Sequence, residues 1–299
     1  MKFSDILKLF LGIAVIALIL YKVGFEKIIS TFSTMNLTYL PICIALFVLG
    51  LYMGAFNVKL LLDALGAKLR MKEIWRAYVL SWAFGMVVPG KIGEFSFIYL
   101  VKDKVKIGEA TAVAVIDKLT TALSLCFLSF IGFFIFFPLQ TAIYLTLGVS
   151  VLAVIGLVVL MTQFGRMILR KILGKRQQMF AGFSKTMKFI VFEEKKAVIL
   201  NIIITFAKWA VTSFLTSLVF LSFGVHVNPL VILSVSATAM LLSLVPITMS
   251  GLGIKEGAAI YLYGLAGVSG VVAVSVQLIL LLLNYGGAAV VFFTVKNRK

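Results

Sequence analysis

Two short stretches of this chain place charge where the surrounding sequence is apolar. Val88-Pro89-Gly90-Lys91-Ile92-Gly93-Glu94 sets Lys91 and Glu94 three residues apart. Pro246-Ile247-Thr248-Met249-Ser250-Gly251-Leu252-Gly253 is followed at once by Lys255 and Glu256. Proline removes a helix donor and glycine loosens the backbone, so Pro89, Gly90, Gly93, Pro246, Gly251 and Gly253 mark helix breaks. A break exposes backbone donors where one half-helix starts and acceptors where the other ends. Lined by ammonium and carboxylate groups, two such breaks make a site for a polar or zwitterionic group. An unpaired ion at membrane depth costs roughly 2.5–3.5 kcal/mol even on lenient insertion scales, so each charge needs a partner, water or a ligand. The alternative is that each Lys–Glu pair staples its own turn, or that its members snorkel to an interface.

Three further charges interrupt apolar runs. Asp117 and Lys118 lie within 108–137, and Asp117, Thr120, Thr121 and Ser124 share one helical face. Asp117 suits a salt bridge to a hairpin lysine or ion coupling; Lys118 suits the same network or a reach toward headgroups. Lys208 lies deep in 197–223, on one face with Asn201 and Thr212, where it can counter Glu94, Glu256 or Asp117 or meet lipid phosphate. Gln277 and Asn284, one heptad apart, are expected to face inward. Lys91, Glu94, Asp117, Lys118, Lys208, Lys255 and Glu256 are therefore the candidate substrate-binding or transport residues. Enzyme chemistry finds little support in the sequence beyond Glu94 and Glu256 as a conceivable acid–base pair. With one histidine and two cysteines, both in apolar runs, there is no metal-ligand cluster, and no phosphate loop, dinucleotide fingerprint or nucleophile elbow occurs. A non-enzyme without metal or cofactor is expected.

Elements that position such residues follow from composition. Of 299 residues, 62% are apolar and 13% charged, far too little polar surface for a soluble fold of this size. The expected class is an all-α polytopic helical membrane protein, with 1–299 as one integral membrane domain. Runs 6–23, 38–61, 108–137, 142–163, 197–223 and 269–294 are each long enough to cross about 30 Å of hydrocarbon. Regions 74–100 and 230–264 are apolar but broken. The first run lacks a small-residue cleavage site and is kept as a span.

Charge sidedness decides what the broken regions do. The net charge is +17, and most basic residues cluster at the N-terminus, 59–76, 101–107, 164–196 and 295–299. The positive-inside rule puts all five clusters in the cytoplasm. That requires 74–100 to enter and leave from the cytoplasmic side and 230–264 from outside. The prediction is six full spans, two re-entrant helical hairpins from opposite sides, and both termini cytoplasmic in a cell membrane. Segment 164–196 alternates basic and apolar residues, as a cytoplasmic amphipathic helix on an anionic leaflet would. No nucleic-acid recognition module accompanies that charge.

An internal echo accompanies the breaks. Glu94 is followed by Ile98-Tyr99-Leu100 and Glu256 by Ile260-Tyr261-Leu262 at identical offsets, with Gly90 and Gly251 four and five residues before. Each hairpin precedes one long span, so 74–137 and 230–294 are expected to be the cores of an inverted repeat.

Val88 to Glu94, the basic turn after it, Gly108-Glu109-Ala110 and Asp117-Lys118 resemble the first signature of the flippase-like transmembrane domain of lysylphosphatidylglycerol synthases. Ser250-Gly251-Leu252-Gly253-Ile254-Lys255-Glu256-Gly257 resembles the second. The resemblance runs from about residue 6 to 294 and extends to the stand-alone members long carried as an uncharacterised integral membrane family. The family usually has Glu-Arg where this chain has Asp117-Lys118, which keeps charge type but not arginine's bidentate contact. The resemblance implies lipid movement between leaflets. Without a soluble domain after residue 294, aminoacyl transfer is not expected, and the lipid need not be lysyl-phosphatidylglycerol. Stand-alone relatives are associated with polyprenyl-linked, glyco- or hopanoid-like lipids. The expected function is a lipid flippase or scramblase-like transporter of a polar-headgroup or polyprenyl-linked lipid, with membrane lipids as partners. An ion-coupled secondary transporter of a small polar or anionic solute and a scaffold for a lipid-modifying enzyme are the alternatives.

Overall fold

The computed structural model describes residues 3–161, 182–245 and 247–296, which form helices and short turns with no strand among them. In chain order the helices are α1 (Phe3–Val23), α2 (Phe25–Ser33), α3 (Leu40–Ala64), α4 (Met71–Met86), α5 (Phe97–Leu100), α6 (Ile107–Phe136), α7 (Leu139–Met161), α8 (Phe183–Lys188), α9 (Lys195–Ser222), α10 (Pro229–Ser243), α11 (Ile254–Leu265) and α12 (Gly270–Lys296). Helices α3, α6, α9 and α12 are long and apolar enough to cross a membrane, and α1, bent by 80° against α2, makes a fifth. Helix α7 has 23 residues and no charge, which is about 34 Å at 1.5 Å per residue. These six helices coincide with the six apolar runs, and the chain is a multi-pass all-α membrane protein.

Between the first two apolar runs, residues 24–37 are mostly helix. Only Gly24, at φ 94°, breaks the chain before α2, which buries Ile28 on its inner face. The segment predicted as an amphipathic helix at 164–196 lies outside the described residues up to 181. Its later part is α8 followed by a π-helical turn at Phe189–Glu193, with Met187 and Ile190 buried. Pro246 also lies outside the described residues.

Both broken regions fold back on themselves. After α4 the chain makes a 3₁₀ stretch at Pro89–Ser96 and the four-residue α5. Lys104, beyond α5, places its Nζ 2.7 Å from Oε1 of Glu73 in the first turn of α4. Residues 71–104 therefore enter and leave at one end of the bundle. The return is close: a Cβ on Gly93 would overlap the Phe84 backbone carbonyl. The second hairpin is α10, a turn through Met249–Gly251, and α11. Its two ends meet the far end of α9, where Tyr263 packs edge-on against Phe220 with ring centroids 4.8 Å apart and Asn228 caps α10 through the Leu230 amide. That end also holds the start of α3, because the Asn36 amide donates to the Ser222 carbonyl at 2.7 Å. Since α3 then runs 25 residues toward α4, the two hairpins insert from opposite ends.

Packing inverts the pattern of a soluble protein. Phe10, Phe127, Leu282 and Phe293 point outward, whereas Asn57, Ser129, Asn201 and Ser243 are buried. Lipid rewards that arrangement, since polar groups need partners that hydrocarbon does not supply. Buried apolar side chains form one core at the base of the first hairpin, including Leu61, Ile74, Phe97, Val113 and Ile190. A second core at the base of the other includes Leu215, Phe220, Ile232, Tyr263 and Val276.

Candidate functional site

Between those cores the two hairpin tips meet. Lys91 at the first tip donates from Nζ to Sδ of Met240 on α10, at 3.4 Å. Ser250 at the second tip approaches Sδ of Met86 on α4 through Oγ, at 3.9 Å. Each tip thus contacts a methionine on the opposing hairpin's first arm. Lys91 and Ser250 are also the two non-glycine residues with positive φ among the described residues, at 57° and 49°. Left-handed backbone of this kind is uncommon for a side-chain-bearing residue and persists only where the surroundings enforce it. The second tip packs on α1, where a Cβ on Gly253 would overlap the Gly12 carbonyl. Gly12 is near the middle of α1, so the tips lie near mid-depth.

A cavity of about 530 Å³ opens beside the tips. Its walls come from α3, α4, the first tip, α6, α9, α10, the second tip, α11 and α12. Most of the lining is apolar, with Phe47, Leu51, Trp82, Leu119, Trp209 and Leu283 prominent. Charge enters it through Lys91, Glu94, Lys118, Lys208 and Lys255.

The charges are organised unequally. Lys118 Nζ lies 2.5 Å from Glu94 Oε2 and 3.4 Å from Asp117 Oδ2. The first tip is thereby tied to α6, and Lys118 turns inward instead of reaching for headgroups. A side chain on Gly85 would collide with Glu94, so that glycine makes room for the carboxylate beside α4. Asp117 is buried behind the pair. A small satellite space of about 20 Å³, bounded by Tyr78, Ser81, Glu94, Asp117 and Lys118, has room for roughly one water.

At the second tip, Glu256 accepts from the Gly253 amide at 2.8 Å and pairs with Lys255 at 3.2 Å. It is the third residue of α11 and closes that helix's N-terminus, where a carboxylate satisfies a donor the helix cannot. Glu256 is buried and does not line the cavity. Gly251 and Gly253 have positive φ, at 76° and 80°, and fill the helix-breaking role given to them.

Lys208 is at the midpoint of the 28-residue α9 and faces the cavity. No carboxylate lies within 4.0 Å of Lys91 or Lys208 among the described residues. Gln277 and Asn284 reach the same space from α12, and Thr121 and Thr212 from α6 and α9. Five of the seven charged candidates therefore line one cavity, Asp117 stands directly behind it, and Glu256 serves a helix end. The sequence does not single out Met86, Met240 or Tyr78, and its aromatic pattern suggests interfacial anchoring for Trp82 and Trp209, which instead line the cavity. Tyr78 falls four residues before Trp82 on α4, a spacing that could have flagged it. The methionines carry no such signal.

Residues 6–291 match the family described as the lysylphosphatidylglycerol synthase TM region. The chain belongs to this family. A membrane protein of the UPF0104 group from Methanothermobacter thermautotrophicus is 31% identical over 117 residues, which is 37% of this chain and 34% of that protein. The match thus spans about a third of that relative's length. Both hairpins and the cavity between them fall within the family region.

Proposed function

We propose that the chain is a lipid flippase or scramblase-like transporter in the cell membrane. The observation that carries this reading is a mainly apolar central cavity whose charges come from both hairpins and from two spans. A lipid headgroup occupies the charged region and the chains lie along the apolar wall. Lys91, Glu94, Lys118, Lys208 and Lys255 contact the headgroup or its counter-ions, Asp117 holds Lys118, and Glu256 fixes the second tip. Both termini lie in the cytoplasm, because Arg70, Lys72, Arg76, Lys102 and Lys106 cluster at the end bearing the Glu73–Lys104 contact and basic residues stay on that side. No bond-making step is assigned to the chain, and its partners are membrane lipids. Uphill movement rests on an ion gradient or on consumption of lipid at the far leaflet.

The test is leaflet exchange of headgroup-labelled and polyprenyl-linked lipids in proteoliposomes, with Glu94→Gln beside the unaltered chain. Exchange that depends on the protein and falls at least tenfold in the variant supports the reading. Absence of exchange across the panel, with folding and orientation verified, removes it in favour of a soluble solute.

A further inference from the structure

The cavity's charges do not cancel. Lys118 shares Glu94 and Asp117, and Lys255 is matched by Glu256, which leaves Lys91 and Lys208 facing the cavity without a carboxylate. Four lysines stand against three carboxylates, and two of those carboxylates are turned away from the space. Lys91 lies within electrostatic range of Glu94 and of three lysines, Lys255, Lys118 and Lys208, and Lys208 lies within range of Asp117, Lys118 and Glu94. Among the described residues neither ammonium group has a carboxylate in contact, although carboxylates stand nearby. Its contact with Met240 offers only thioether sulfur, a weak acceptor that carries no charge. Nor is lysine a residue that a left-handed turn selects; glycine or asparagine would serve the backbone better. The backbone at Lys91 is held in that conformation with an ammonium group at its end, and this suits a position kept for its charge.

The geometry points to a phosphate site: Lys91 and Lys208 hold the phosphate of a lipid whose headgroup adds no cation, between the two hairpin tips. This rests on the lipid-transport reading and narrows it. A phosphate brings negative charge and several acceptor oxygens, which suits a net excess of one positive charge carried by two ammonium groups without a carboxylate in contact, and lysine binds phosphate as a point charge. A headgroup esterified with a basic amino acid would bring further positive charge to a space that already has an excess. The apolar remainder of the wall accommodates hydrocarbon, whereas a free phosphate ion would leave it facing nothing it can bind.

The test is binding by the full chain in maltoside micelles, followed by tryptophan fluorescence, because Trp82 and Trp209 are in the cavity wall. The probes are dodecyl phosphate, dodecanol, dodecyltrimethylammonium and inorganic phosphate. Dodecyl phosphate is expected to saturate at least tenfold more tightly than the alcohol or the cation, and inorganic phosphate to displace it only at a hundredfold higher concentration. Lys91→Asn with Lys208→Met should reduce dodecyl phosphate to the affinity of dodecanol while dodecanol binding persists, which reports an intact fold. Lys91→Asn keeps a residue that tolerates the left-handed backbone. Lys104→Gln, remote from the cavity, should change nothing. Equal affinity for phosphate and alcohol, or a phosphate preference that survives the double substitution, overturns the site. Inorganic phosphate binding as tightly as dodecyl phosphate overturns the lipid assignment and leaves a soluble anion. Leaflet exchange without phosphate preference would remove this site alone; phosphate-selective binding without leaflet exchange would remove the transport reading alone.

Discussion

The two hairpins occupy corresponding places, yet they use their charges in opposite ways. At the first tip Glu94 leaves its own hairpin to pair with Lys118 on α6, and Lys91 crosses to Met240 on α10. At the second, Lys255 and Glu256 close on each other and on the start of α11. The cause is the returning arm. Helix α11 is 12 residues long and presents an N-terminus whose orphan amides demand an acceptor. The first hairpin returns through 3₁₀ turns and a four-residue helix, with no comparable terminus to satisfy, so its glutamate is free to engage elsewhere. The second hairpin therefore closes its charges locally and is the anchored one, whereas the first shares its charges with α6 and α10 and, on the transport reading proposed above, is the responsive one.

That contrast predicts an ordered set of effects. Glu94→Gln should be the most damaging, with leaflet exchange reduced at least tenfold and stability lowered by about 2–3 kcal/mol, since the first tip loses its tie to α6 and Lys118 keeps only Asp117. Adding Lys118→Met should lower the melting temperature further, because it leaves the buried Asp117 without its cation, and should restore none of the exchange. A double variant that regains exchange would place the charge pair outside the transport cycle. Gly251→Ala and Gly93→Ala come next, at about 2 kcal/mol each by thermal unfolding. The first meets Ser243 and a positive φ, and the second meets the Phe84 carbonyl.

Glu256→Gln should be milder, at about 1–2 kcal/mol for a weakened cap and the lost pairing with Lys255, with exchange within twofold of the unaltered chain. If its exchange falls as far as that of Glu94→Gln, the division between an anchored and a responsive hairpin collapses. The smallest effect belongs to the exposed clasp at the base of the first hairpin. Lys104, then the Arg70 amide, hold the Glu73 carboxyl down from its ordinary 4.5 to about 2. A depressed carboxyl contributes stability that is present above its unfolded value and lost as pH falls through its folded value. The melting temperatures of Glu73→Gln and the unaltered chain should therefore differ slightly at pH 6 and converge between about pH 4.5 and 2. Divergence on acidification would show that the clasp is not an ion pair.

Much of this was visible before any fold. Six apolar runs became six helices, because a span must be about 20 residues long and apolar whatever its neighbours do. The breaks at Gly251 and Gly253 and the inward face of Lys208 were likewise legible, since positive φ and buried charge leave marks on local composition. The echo between Glu94 and Glu256 was real in sequence but misleading about roles. The two left-handed tip residues, Lys91 and Ser250, correspond in a register three residues out of step with it. Two glutamates at matching offsets thus ended in different environments. The Lys–Glu staple that stood as the alternative exists at Lys255 and Glu256 and is absent at Lys91 and Glu94.

By itself the sequence determined class, spans, hairpin positions and the set of charges that had to be accommodated, since each depends on composition within a window no longer than a helix. Only the tertiary structure decided which charge meets which. The Glu94–Lys118 pair, the reciprocal methionine contacts of Lys91 and Ser250, and the carboxylate-free positions of Lys91 and Lys208 join segments from 24 to more than 100 residues apart. Electrostatic pairing follows distance in space, and that distance was set by two hairpins meeting tip to tip from opposite ends of the bundle.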